Sequence, residues 1–351
     1  MKICDKLINM APYDPTEDKY AIKLDANESY ITLPENIKSK VLGAIANVMD
    51  NRYPDPACKK LREAAGKVYG VPADNVAVGN GSDELLSIIT SSFNMKGSKI
   101  MTAMPDFSMY EFYAHTSECE VVNFTKDSKL RIDADAMIAE AKKENVNMLI
   151  FSNPCNPTGQ GLMREEIIKI IESLPDTLVV VDEAYMEFWN QSVMDVILNY
   201  DNALVLRTCS KAFGLAGMRV GFAIGNDTLI GCINKARSPF NISSLVQAAA
   251  EQVLLEKDYL NDCIAKLCES AKALRAAVEV LASKVDDMEF IPTVTNFALI
   301  KTDKAPYYYD KLLEKSICVR LVKGKYLRIT CGSEAENKAV IDALEDICGV
   351  Q

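Results

Sequence analysis

TLVVVDEAYMEFWNQSVMDVILNYDNALVLRTCSK, residues 177–211, contains two apolar runs that each lead into chemistry-bearing side chains. The first, Leu178 to Val181, ends at Asp182; the second, Ala203 to Leu206, passes through Arg207 and Thr208 to Ser210 and Lys211. Neither run alternates polar with apolar residues, so both are expected to be strands covered on two faces, as in an α/β sheet sandwiched between helices. Ligands of such sheets bind in the crevice beyond the carboxyl ends of the strands. Taken alone, Asp182 also suits a helix cap and Lys211 a surface turn. Two neighbouring strands that deliver a carboxylate and an amine to one rim favour a chemical role, because a buried ammonium is costly without a partner.

Working outward, VAVGN (76–80), KIMTAM (99–104), VVNF (121–124), NMLIFSN (147–153) and GFAIG (221–225) read as further strands, with SDELLSIITSSF and REEIIKIIESL as helices between them. This alternation predicts a large, mostly parallel sheet domain. After residue 243 the pattern changes to a long Ala- and Leu-rich helical stretch with a break near Asp258. A strand (TNFALI), a helix (YYYDKLLEK), two strands (ICVRLV, KYLRIT) and a last helix (ENKAVIDALEDIC) follow, which predicts a smaller α+β unit.

Composition limits what these elements can do. The 39 Lys+Arg against 49 Asp+Glu leave a formal net charge of −10, which argues against nucleic acid or an anionic membrane as the main partner. No apolar segment has the length of a membrane span, and MKICDKLINMAPYDP carries no apolar export core. Eleven cysteines with no CxxC pair suggest reduced thiols and a cytoplasmic protein. The single histidine, His115, has no supporting motif for a metal site or a Ser-His-Asp triad, so no metal is expected.

Other strand ends add to the rim. IFSNPCNPTG is a turn rich in Asn and Pro, where Asn156 is fixed at a strand end. VGNGSDELLSII is a strand, a glycine turn and a helix start, so the backbone amides of Gly81, Ser82 and Asp83 can cradle an anion. The loop matches neither GxGxxG nor GxxxxGK[ST]. An amine (Lys211), an acid (Asp182), an Asn, a Tyr (Tyr185) and a phosphate cup with Ser210 and Arg219 together meet the needs of pyridoxal 5′-phosphate: a lysine for its aldehyde, an acid for its ring nitrogen, donors for its ring oxygen and a phosphate site.

These stretches, with KLDANES at 23, NRYPDP at 51, PDFSMY at 105, RSPFNISSLVQAAA at 237 and LRITCG at 327, resemble the fold-type I pyridoxal-phosphate aminotransferases, and among them the histidinol-phosphate aminotransferase family. The resemblance implies an arm over residues 1–30 packing with the small domain, a large cofactor-binding domain over 31–243, and a connecting helix with the small domain over 244–351. It implies Lys211 as the Schiff-base lysine, Asp182 at the pyridinium nitrogen, Asn156 and Tyr185 at the ring oxygen, and Gly81, Ser82, Asp83, Ser210 and Arg219 around the phosphate. Phe107 matches the aromatic that stacks on the ring, where the family usually has tyrosine, and Cys155 stands where it often has a second asparagine.

Arg320 and Arg328, with Tyr13, Asn27 and Asn296, match substrate-binding positions. Tyr53, which by itself reads as a tyrosine in a Pro-bounded turn, matches the residue that reaches the neighbouring subunit's cofactor phosphate, so a homodimer is expected. The implied reaction is ping-pong transfer of an amino group from L-histidinol phosphate to 2-oxoglutarate, giving imidazole acetol phosphate and L-glutamate. An aromatic or broad-specificity aminotransferase and a threonine-phosphate decarboxylase remain as alternatives.

Overall fold

The computed structural model describes Lys6 and residues 19–350. Its main sheet has seven strands: β2 (Val76–Asn80), β3 (Lys99–Met104), β4 (Glu120–Thr125), β5 (Met148–Ser152), β6 (Leu178–Asp182), β7 (Ala203–Thr208) and β8 (Val220–Ile224). Their order is β2-β8-β7-β6-β5-β3-β4. Only β8 runs against the others, pairing antiparallel with both β7 and β2.

The unbroken apolar runs form the middle of this sheet, and successive residues feed opposite cores. Leu149, Phe151, Val179, Val181, Ala203 and Val205 join one cluster; Met148, Ile150, Val180, Leu204 and Leu206 join another. The first is closed by α1 (Glu35–Ala46), α2 (Lys59–Tyr69), α5 (Ala134–Glu144), α6 (Arg164–Ser173) and α8 (Ser244–Leu254). The second is closed by α3 (Gly81–Ser92), α4 (Met109–Thr116) and α7 (Asp227–Ala236). Full burial on both faces is why these strands lack polar alternation. Edge strand β4, half exposed, does not share that constraint.

The second sheet is antiparallel, ordered β12-β13-β10-β9, from β9 (Glu289–Ile291), β10 (Phe297–Lys301), β12 (Arg320–Val322) and β13 (Tyr326–Thr330). It shares a separate core with α9 (Lys257–Lys284), α10 (Ala305–Glu314) and α11 (Glu334–Cys348). The helical stretch after residue 243 breaks between Leu254 and Lys257, next to the expected position. Helix α9 then crosses between the units, burying Leu260 in the large core and Leu267, Leu274 and Val278 in the small one. Near the N-terminus, β1 (Ile22–Lys23) pairs with β11 (Ile317–Cys318), and Leu24 enters the small core. The expected ICVRLV strand is split at Val319 into β11 and β12. Neither β1 nor β9 was anticipated, since two or three residues carry no measurable periodicity.

Candidate active site

Register brings the rim together. Ser152 at the end of β5 pairs with Asp182 at the end of β6, which pairs with Leu206 on β7, so Ser210 and Lys211 lie just past the same edge. Asp182 is 3% exposed. Its Oδ2 accepts from the Tyr110 hydroxyl at 2.8 Å and its Oδ1 from the Ala184 N–H at 3.1 Å. Burial pushes its pKa up to about 7, against these two donors and with help from the charges of Asp106 and Asp83.

Lys211 is half-buried, its Nζ donating to the Ala26 carbonyl at 2.8 Å and lying 6.0 Å from the Tyr185 ring centroid. Desolvation, reinforced by the Arg328 guanidinium, lowers its pKa to about 8. About a tenth of the amine is therefore neutral at pH 7, far more than for an ordinary lysine, and the neutral amine is the nucleophilic form. The Tyr185 hydroxyl accepts from Asn27 Nδ2 at 2.8 Å, and its ring packs edge-on against Phe297. Asn27 is pinned in turn by Thr330 and by Asn296, whose Nδ2 donates to the Asn27 carbonyl at 3.1 Å. Asn296 is fully buried and meets the site through Asn27.

The expected anion cup rests on close backbone approach. Gly81 has φ +80°, and a Cβ there would lie 2.6 Å from an Arg219 nitrogen; a Cβ on Gly221 would lie 2.3 Å from the Ser82 nitrogen. Both glycines leave the α3 amino terminus and its amides open beside Arg219. Arg219 Nη1 donates to Ser210 Oγ at 3.3 Å, and Nη2 lies 3.7 Å from Asp83 Oδ2. Ser210 Oγ also accepts from the Thr208 hydroxyl at 3.0 Å.

Arg328, 7% exposed, donates to Asn156 Oδ1 and to the Asp25 carbonyl, with its guanidinium 5.5 Å from the Phe297 ring centroid. Arg320 is its direct partner across β12 and β13, which places both side chains on one face of the small sheet. Phe107 packs edge-on against Tyr110, so the ring-stacking candidate touches the residue that supports Asp182. Tyr53, 82% exposed, stacks on Phe240 at 4.6 Å. Tyr13 lies outside the described residues.

The sequence reading missed Tyr110 and Thr208. Tyr110 stands 72 residues before its carboxylate partner, so no local motif links them. Ser152 was also missed: it accepts from the Asn156 N–H at 3.2 Å and donates to Asp106, which fixes the base of the Asn156 turn.

These residues fit pyridoxal 5′-phosphate on physical grounds. A buried carboxylate that is hard to ionise alone suits a cationic ring nitrogen, a lysine of lowered pKa suits an aldehyde, and a glycine-lined helix start with an arginine suits a phosphate. A seven-stranded α/β/α sheet with this rim is a cofactor-binding architecture, and the family is settled by sequence. The chain belongs to the aminotransferase class I and II family, whose model matches residues 19–344. It is 43% identical over 345 residues to a histidinol-phosphate aminotransferase of Clostridium kluyveri, with 97% of each chain covered. It is 41% identical over 338 residues to the Clostridium novyi protein of the same name, covering 95% of this chain and 94% of that one. The histidinol-phosphate aminotransferase of Sinorhizobium meliloti, solved in complex with pyridoxal-5′-phosphate, shares the fold at a TM-score of 0.89 and 24% identity, covering 99% and 98% of the two chains.

Proposed function

We propose that this aminotransferase uses pyridoxal 5′-phosphate to transfer the amino group of L-histidinol phosphate to 2-oxoglutarate. The observation that carries the chemistry is that neighbouring strands end at one sheet rim with the buried carboxylate of Asp182 on one and Lys211, of lowered pKa, just past the other. The names of the relatives at 41% and 43% identity support the substrate. When bound, the cofactor supplies an electron sink for the charge left at the substrate α-carbon. Asp182 supplies the negative charge that holds a proton at the ring nitrogen. Lys211 Nζ anchors the cofactor aldehyde, and once released it moves the proton to and from the α-carbon.

Asn156 and Tyr185 orient the ring oxygen, and Phe107 covers the ring. The amides of Gly81, Ser82 and Asp83 hold the phosphate with Ser210 and Arg219. Arg320 and Arg328 bind the substrate anions, since a guanidinium fork suits both a carboxylate and a phosphate. Asn27 and Tyr13 are assigned to the same pocket, and Asn296 to positioning Asn27. Residues 1–30, 31–243 and 244–351 are taken as arm, cofactor domain and small domain. Tyr53 is assigned to the phosphate of a second copy in a homodimer; its exposed ring, with the exposed Phe240, Met49 and Leu42, supports that reading. A cytoplasmic location agrees with the ten described cysteines, all of them free. Among the described residues no helix is long and apolar enough to cross a membrane.

The substrate is tested by mixing the cofactor-loaded protein in turn with L-histidinol phosphate, phenylalanine and phosphothreonine, and following the visible cofactor band. Histidinol phosphate is expected to bleach it fastest; faster bleaching by either competitor would reassign the substrate. Arg328→Lys is expected to lower kcat/KM about ten- to a hundredfold in both half-reactions, the cost of one charged hydrogen bond. A lysine keeps the charge but loses the fork that holds Asn156 and Asp25 together. An effect confined to one half-reaction would contradict a shared anion site.

A further inference from the structure

Behind the Asn156 turn, Lys126, Asp106 and Cys155 form a buried cluster to which the proposed reaction gives no role. Lys126 follows β4 and is tied to β3 by its N–H, which donates to the Met104 carbonyl at 3.1 Å. Its side chain is 1% exposed, that of Asp106 is 0% exposed, and Cys155 is 2% exposed. Lys126 Nζ donates to the Pro105 carbonyl at 2.7 Å and to Cys155 Sγ at 3.0 Å, and lies 3.9 Å from Asp106 Oδ2. The Cys155 thiol in turn faces Asp106 Oδ1 at 3.5 Å.

Sulfur is a weak acceptor, so an ammonium gains little from it compared with an oxygen partner. The arrangement instead places an ammonium that becomes a nucleophile on losing a proton, an oxidisable sulfur and a carboxylate base in mutual contact. Burial slows the entry of an oxidant, but it also shields a sulfenic acid from further oxidation and from bulk thiols, leaving the neighbouring amine as its nearest nucleophile.

We propose that Cys155 and Lys126 form an oxidation-driven covalent bridge, in which peroxide converts the thiol to a sulfenic acid and the lysine amine captures the sulfur as a sulfenamide. Asp106 takes the thiol proton, and the thiolate attacks peroxide: an S–O bond forms, the O–O bond breaks, and the released hydroxide leaves as water with one ammonium proton. The amine lone pair then attacks sulfur, the S–N bond forms, the S–O bond breaks, and the departing hydroxide takes a second nitrogen proton. Thiol, ammonium, carboxylate and one peroxide thus become a sulfenamide, a protonated Asp106 and two waters; the sulfur gives up two electrons and the peroxide gains them. The bridge would tie the end of β4 to the turn that carries Asn156 and remove both charges of the Lys126–Asp106 pair. Its formation does not depend on the proposed substrate; its effect on turnover does.

The test is graded hydrogen peroxide treatment of the cofactor-loaded full chain, followed by thiol alkylation and peptide mass mapping. The expected result is a linked pair of peptides containing Lys126 and Cys155, lighter by two hydrogens than their sum and separated again by dithiothreitol. Activity should fall as the linked fraction rises and return on reduction, whereas Cys155→Ser should keep its activity through the same treatment. Sulfinic or sulfonic acid at Cys155 beside an unmodified Lys126, or a fully alkylatable Cys155 after other cysteines have oxidised, would overturn the bridge. A linked pair that retains an added oxygen would overturn the water-releasing step, and equal inactivation of Cys155→Ser would sever the bridge from activity. The mass readout uses the unsubstituted protein, so it does not depend on how a variant folds.

Discussion

Lys211→Ala is expected to cost turnover at least about a thousandfold, because in the proposed reaction one side chain both anchors the cofactor and moves the α-proton, and general acid–base transfer alone contributes roughly 10²–10⁴. The fold should survive. Lys211 Nζ donates to one backbone carbonyl, that of Ala26, and its removal relieves the desolvation that lowers its own pKa. Borohydride reduction of the unsubstituted, loaded protein should fix the cofactor mass to the peptide containing Lys211, and the same treatment of the variant should fix none. Wild-type turnover by Lys211→Ala, or a borohydride adduct on another lysine, would remove Lys211 from the centre of the mechanism.

Asp182→Asn should separate activity from stability. A neutral amide cannot supply the charge that holds a proton at the ring nitrogen, and losing a preorganised electrostatic partner costs about 10²–10³ in kcat. The stability effect has the opposite sign. Asp182 has a folded pKa of about 7, above its unfolded value of about 3.9. Between these values the folded state holds a proton that the unfolded chain has lost, so the contribution of Asp182 to stability is lost as pH rises through that window.

In cofactor-free protein the asparagine variant should therefore melt above wild type at pH 8 and near it at pH 4, by at most about 4 kcal/mol. Asparagine can still accept from Tyr110, but it has no second oxygen for the Ala184 N–H, which trims the gain. Bound cofactor should reverse the order, because a cationic ring nitrogen favours the ionised carboxylate. Melting curves at two pH values, with and without cofactor, check all of this; identical offsets under every condition would mean that the Asp182 carboxyl is not held neutral in the empty site.

The architecture was legible wherever burial forces a uniform composition. β5, β6 and β7 are covered on both faces, so their apolar runs stand out, and the side chains just beyond them identify the rim. Lys211, Asp182 and Ser210 were accessible for that reason, and Arg219 stands at the same rim because it directly precedes the antiparallel β8. What stayed hidden are contacts between side chains far apart in sequence. Tyr110 supports Asp182 from another helix, and the PDFSMY stretch drew attention to Phe107 alone. Lys126 follows a half-exposed edge strand, where a lysine reads as a solvated residue, yet tertiary packing buries it against Asp106 and Cys155. Asn296, expected at the substrate, donates its Nδ2 to the Asn27 carbonyl, a contact that no local motif announces.

Arg328 binds more than one neighbour at once. It rises from the small sheet, holds the Asn156 amide oxygen at the rim of the large sheet, and grips the Asp25 carbonyl near the N-terminus. Because the guanidinium takes the Oδ1 of Asn156, the amide plane is set while its Nδ2 is left to donate elsewhere. On the proposed reading, one cation thereby fixes the orientation of a ring-facing amide from the opposite domain, so a shift of the small sheet would turn that amide with it.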